Sequence, residues 1–154
     1  MFKSRLGYIP DSPQAGDVVA HADVSLLSAE TFSQGLLNSC VQNTVAAAYA
    51  LCAKQQGIKK PLLSRMFLYF FARKAAGLKP WANVGTRYRD TFQLLADQGA
   101  PSEWLWPYLF PLYGFKPFGP ATKKAAQNKS VEWTQVSLDE ATVKAALAAG
   151  LPVM

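Results

Sequence analysis

The chain has 154 residues, half of them hydrophobic and 17% charged, with a formal net charge of +6. That balance supports a packed core and excludes global disorder, and the length fits one domain or the first lobe and part of the second of a larger one. The basic pairs Lys59-Lys60, Arg73-Lys74 and Lys123-Lys124 stand apart, which leaves out nucleic acid as a partner, since that needs clustered charge on one face. No segment offers the ~18 apolar residues of a membrane span. The first ten residues carry Lys3 and Arg5 but no apolar run, so they do not read as a secretory signal.

Residues 1–33 read as extended and irregular, with Pro10, Pro13 and Gly16 setting turn chemistry around Asp11, Ser12 and Asp17. Helix signals begin at Ser39, which with Gln42 forms a capping box. Val41, Val45, Ala48, Tyr49 and Cys52 then make one apolar helical stripe that Gly57 closes. A second helix is expected from Pro61 to Gly77, apolar on more than one side, with Arg73 and Lys74 in its last turns. A third is expected over residues 86–98, with Tyr88 or Phe92, Leu94 and Leu95 inward and Gly99 ending it. Pro101, Pro107, Pro111, Pro117 and Pro120 break up the aromatic stretch that follows, which reads as a surface-hugging connector and lobe boundary. Beyond it the sequence suggests a short helix over residues 121–128 and a strand over 131–136. A helix opened by a Ser137/Glu140 capping box runs to Ala149, and residues 151–154 read as the start of a buried strand.

Two cysteines are present, Cys40 and Cys52. On one helix they would lie roughly 18 Å apart, beyond the ~7 Å that a disulfide bridges. A chain without an internal disulfide suits a reducing compartment, which favours the cytoplasm. One histidine and two distant cysteines cannot build a zinc site, and no glycine-rich phosphate loop occurs, so neither metal nor cofactor is expected. Cys52 falls on the apolar stripe and reads as core. Cys40 is different. It takes the first helical position, where unpaired N–H groups and the positive end of the helix dipole favour a thiolate, the nucleophilic form of the group.

The segment Gln34-Gly35-Leu36-Leu37-Asn38-Ser39-Cys40 resembles the active-site segment of papain-family cysteine peptidases, a Gln six residues before a Ser-Cys that opens the central helix. Other stretches resemble the same family in the same order: Gly7-Tyr8-Ile9-Pro10-Asp11-Ser12-Pro13, the run from Gly99 to Tyr108 with Glu103 and Trp106-Pro107-Tyr108, and the ending from Val143 to Val153. The resemblance implies a papain-like α+β fold: a helical first lobe with its N-terminal extension over residues 1–108, and the connector and opening of a β-rich second lobe over 109–154. It implies Cys40 as nucleophile and Gln34, with the Cys40 N–H, as the oxyanion donors. Gly85 would be the backbone that pairs with a peptide or protein substrate, or simply a loop glycine before a helix.

The sequence departs from the family in three places. Val41 stands where Trp is common, and Leu37 stands where the family often has a disulfide cysteine. The family's base histidine and orienting asparagine would fall beyond Met154, and His21 matches no part of the motif. The 154 residues alone are therefore expected to be inactive unless a further C-terminal segment or a partner chain supplies those groups. Glu103 reads as a structural partner for the connector. Two other readings stay open: a non-catalytic papain-like binding module, and another cysteine hydrolase with a helix-capping nucleophile.

Overall fold

The computed structural model describes residues 5–6, 31–59, 62–129, 132–133, 135 and 139–154. Three helices, α1 (Cys40–Gln55), α2 (Arg65–Ala75) and α3 (Tyr88–Asp97), pack pairwise on one another and hold most of the core. The expected stripe of α1 is buried throughout, and Gln42, Asn43, Ala46, Leu51 and Ala53 are buried as well, so the helix is enclosed on most sides. Gly57 ends it at a φ of 65°, where the Gly57 and Ile58 N–H groups bond the Lys54 and Ala53 carbonyls.

The capping box expected at its start does not form. Ser39 makes no side-chain cap bond, because its hydroxyl meets the hydroxyl of Tyr108. Gln42 turns inward and donates to Thr86 Oγ1 at 2.6 Å and Thr91 Oγ1 at 2.9 Å. Tertiary hydroxyl partners have displaced the local ones.

Helix α2 starts later than expected. Pro61 lies outside the described residues, and Leu62 to Ser64 run extended beside residues 101–103: Ser64 N donates to Pro101 O and Glu103 N to Leu62 O, both at 2.8 Å. Ser64 then caps the helix by accepting from Phe67 N at 3.1 Å. Helix α3 begins two residues after the expected start, buries Thr91 and Leu95, and ends before Gly99 at φ 79°. A Cβ on Gly99 would stand 2.3 Å from the Ala125 carbonyl oxygen. Only glycine allows that approach.

The proline-rich stretch winds through a 3₁₀ turn, Phe110–Gly114, into α4 (Gly119–Ala125) and a second 3₁₀ turn, Ala126–Asn128. Ala121 and Ala125 of α4 sit in the same core as Val45 and Phe67. A final helix, α5 (Glu140–Ala148), is capped by Asp139, whose carboxylate accepts from Thr142 N at 2.8 Å. The Ser137 expected in that role lies outside the described residues.

The expected α+β fold with a β-rich second lobe is not what the chain adopts. It is helical, and among the described residues its strand content is one two-residue parallel pair, β1 (Arg5–Leu6) with β2 (Glu132–Trp133), besides the isolated bridge Leu63 to Ser102. Pro111 and Pro117, without an N–H to donate, keep residues 110–118 out of a sheet ladder. Residues 151–154, read as a buried strand, form none; three of them are half-buried and Met154 is exposed. A lone segment without a ladder partner does not make a strand. Among the described residues no helix is long and apolar enough to cross a membrane.

Candidate active site

Cys40 is exposed at the first position of α1, while Cys52, three turns on, is buried; neither is in a disulfide. Burial pushes the Cys52 thiol up to about 11, the mark of a core group. As the first helical residue, Cys40 has a backbone N–H with no intrahelical acceptor.

Gln34 lies in a tight turn before the helix. Its carbonyl accepts from Leu37 N at 3.2 Å, Gly35 takes a φ of 54°, and its half-buried side-chain amide donates to the Leu37 carbonyl at 3.0 Å. One of the two amide hydrogens is thereby used within the turn, and the other is left to meet an incoming acceptor.

Behind these two residues runs a directional chain of hydrogen bonds. Arg65 Nη1 donates to Asn43 Oδ1 at 2.8 Å, and Asn43 Nδ2 donates to both Ser39 O (2.8 Å) and Ser39 Oγ (3.1 Å). Ser39 Oγ meets the Tyr108 hydroxyl, which donates to the Gln34 carbonyl at 2.9 Å. Each hydroxyl accepts once and donates once, so the proton directions agree along the whole path. Arg65 anchors it by pairing with Glu103, through Nε at 3.2 Å and Nη2 at 2.5 Å, and its guanidinium lies 4.3 Å from the Tyr108 ring centroid. Glu103 also accepts from the Arg65 backbone N–H at 3.1 Å, which places a carboxylate at the N-terminus of α2. The structural role expected for Glu103 is the one it has.

Gly85 is exposed, and a Cβ there would come 3.9 Å from the Asn38 carbonyl oxygen, so the segment flanks the loop that leads to Cys40. Asn83 holds it there. Its Oδ1 accepts from Asn38 N at 2.9 Å, its Nδ2 donates to Leu36 O at 2.9 Å, and its carbonyl accepts from Asn38 Nδ2 at 2.8 Å. Tyr69 shares its hydroxyl proton between Asn83 Oδ1 and Val84 O. Burial pushes that phenol up, so it stays a donor. Cys40, Gln34 and the Gly85 segment are therefore brought around one loop. His21 lies outside the described residues.

Sequence reasoning missed Asn43, Asn83 and Arg73. Arg73, placed by the sequence only in the last turns of α2, is fully buried and donates to the carbonyls of Tyr69, Pro80, Ala82 and Tyr113. Burial lowers its pKa. The spacing of four from Ser39 to Asn43 was a usable signal, since such residues share a helix face. A depression of about 330 Å³ opens beside the Gln34 turn, lined by Gln34 to Leu37 with Tyr108 and Phe110. Cys40 does not line it. Among the described residues no cluster of three metal-ligating side chains occurs.

The chain is structurally homologous to papain-like cysteine proteases over most of its length. One similar structure is Xylellain, a cysteine protease from Xylella fastidiosa, at 28% identity and a TM-score of 0.73 over 96% of this chain and 64% of that one. Digestive procathepsin L 3 of the Tenebrio molitor larval midgut shares the fold, at 19% identity and a TM-score of 0.63 over 95% of this chain and 46% of that one. The chain thus spans less than two thirds of either. No protein-family model and no curated protein sequence matches it.

Proposed function

We propose that this chain carries the nucleophile side of a papain-family cysteine peptidase site. Cys40 attacks the scissile carbonyl: the Sγ–C bond forms, the carbonyl pair moves to oxygen, and the Cys40 N–H with the free hydrogen of the Gln34 amide holds that oxyanion. Collapse breaks the peptide C–N bond and leaves a thioester on Cys40, which water hydrolyses. The described residues include no histidine, so the proton that leaves the Cys40 thiol and is delivered to the leaving amine is carried by a histidine presented from outside them. A peptide or protein is the substrate, with the Gly85 backbone free of a side chain beside the cleft.

The observation that carries this reading is the contrast within one helix: an exposed cysteine at its positive end and a buried one three turns on, with the Gln34 turn linked through the Tyr108 hydroxyl to Ser39, the residue just before the exposed cysteine. A peptidyl epoxide tests it. Mass mapping should find the label on Cys40 and not on Cys52. A chain that reacts with small alkylating agents but not with the epoxide would favour a non-catalytic papain-like module.

A further inference from the structure

We propose that Tyr108 is the positioning residue of the oxyanion site, its hydroxyl setting where the Gln34 amide stands relative to Cys40. This rests on the peptidase reading above. The Gln34 turn and the start of α1 are joined in sequence through five intervening residues, of which Leu37 is buried in the core and Leu36, beside it, is 81% exposed. Leu37 by packing and Asn83 by its bonds to Leu36 and Asn38 hold the far side of the loop, and neither sets where Gln34 stands. Tyr108 does so from the side: its hydroxyl takes a bond from Ser39, the residue before the nucleophile, and gives its proton to the carbonyl of Gln34, the residue that bears the amide. Both ends of the oxyanion pair are tied to one oxygen atom.

That oxygen is itself fixed. Asn43 donates to Ser39 Oγ and so turns the serine proton toward Tyr108, and Arg65 orients Asn43 through its Oδ1. The Tyr108 ring lies under the same guanidinium, at 4.3 Å. Ring and hydroxyl are held by different partners, so removing the hydroxyl alone should leave the ring in place and release the turn. Oxyanion donors act through preorganisation, and a displacement of a fraction of an ångström is enough to weaken them.

The test uses the full chain and the aldehyde N-acetyl-phenylalanyl-glycinal. The Cys40 thiol adds across its carbonyl: the Sγ–C bond forms, the π pair goes to oxygen with the thiol proton, and no base is consumed overall. The resulting oxygen sits where the oxyanion would. Iodoacetamide reports the thiol by itself, so each variant is scored as aldehyde affinity divided by iodoacetamide rate. Tyr108→Phe and Gln34→Ala should each lower that ratio about tenfold, and the double variant should be no worse than Gln34→Ala, because Tyr108 acts through Gln34. Losses that multiply in the double variant, or a Tyr108→Phe ratio equal to that of the unmodified chain beside a weakened Gln34→Ala, would overturn the positioning role and leave the peptidase reading standing. A ratio unmoved by Gln34→Ala would overturn that reading itself.

Discussion

Replacing Glu103 with alanine removes the partner of an arginine that is almost enclosed. The Arg65 and Glu103 side chains are 11% and 17% exposed, and the carboxylate receives both the guanidinium and the Arg65 N–H. Breaking a buried pair from one side costs about 3–5 kcal/mol, and the residual exposure of both groups puts this one near the lower figure, about 3 kcal/mol. With an m-value of roughly 2 kcal/mol/M for a chain of this size, the urea midpoint should fall by about 1.5 M with m unchanged. The melting temperature should fall by roughly 6–12 °C. The loss comes from a stranded charge, so the double change Arg65→Met, Glu103→Leu should recover most of it. A single variant within about 1 kcal/mol of the unmodified chain, or a double variant worse than the single, would refute the assignment of this pair as a buried anchor.

The remaining predictions concern pH, backbone and the substrate-side loop. Burial raises Cys52 to about 11, against roughly 8.5 in the unfolded chain. The native state holds this proton longer, so the thiol's share of stability is intact below about pH 8.5 and is lost as pH rises towards the folded value. Urea midpoints between pH 7.5 and 10.5 should fall less steeply in Cys52→Ala, and an identical slope would contradict its burial. Gly99→Ala should destabilise more than Gly57→Ala: both have positive φ, worth about 1–2 kcal/mol, but only at Gly99 does the new Cβ meet backbone, at 2.3 Å. Equal losses in thermal melts would count against that close approach. Asn83→Ala should speed hydrogen exchange at the Asn38 amide, whose acceptor it removes; unchanged protection there would show that the loop is held otherwise.

The helical core was legible because helices advertise themselves locally. The stripe from Val41 to Cys52 gave α1, and Gly57, Gly77, Gly99 and Gly150 all end helices at positive φ. Local rules failed where distant partners compete for the same atoms. Ser39 and Gln42 have the spacing of a capping box, yet Tyr108, Thr86 and Thr91 claim their side chains from 44 to 69 residues away. The pair Leu62-Leu63 reads as helix by hydropathy, but residues 101–103 hold it extended. The burial of Arg73 was not legible, because nothing near it in sequence announces four carbonyls converging on its guanidinium. Of the strands expected in the last third, the one over 131–136 contains Glu132–Trp133, while the one over 151–154 depended on partners that a single sequence does not reveal. For the candidate site, Gln34 and Cys40 stood out as a motif, and the residues whose bonds hold that segment, Asn43 and Asn83, did not.

The most direct measurement of the central claim is acylation of the full chain by p-nitrophenyl acetate. The nitrophenolate leaves with its own electron pair and needs no general acid, so the reaction isolates the nucleophile and the oxyanion donors from any histidine. The account predicts one nitrophenolate per chain and a thioester mapped to Cys40, with acylation lost in Cys40→Ser and slowed roughly a hundredfold in Gln34→Ala. Acylation that maps elsewhere, or that proceeds at the same rate without the Gln34 amide, would contradict it.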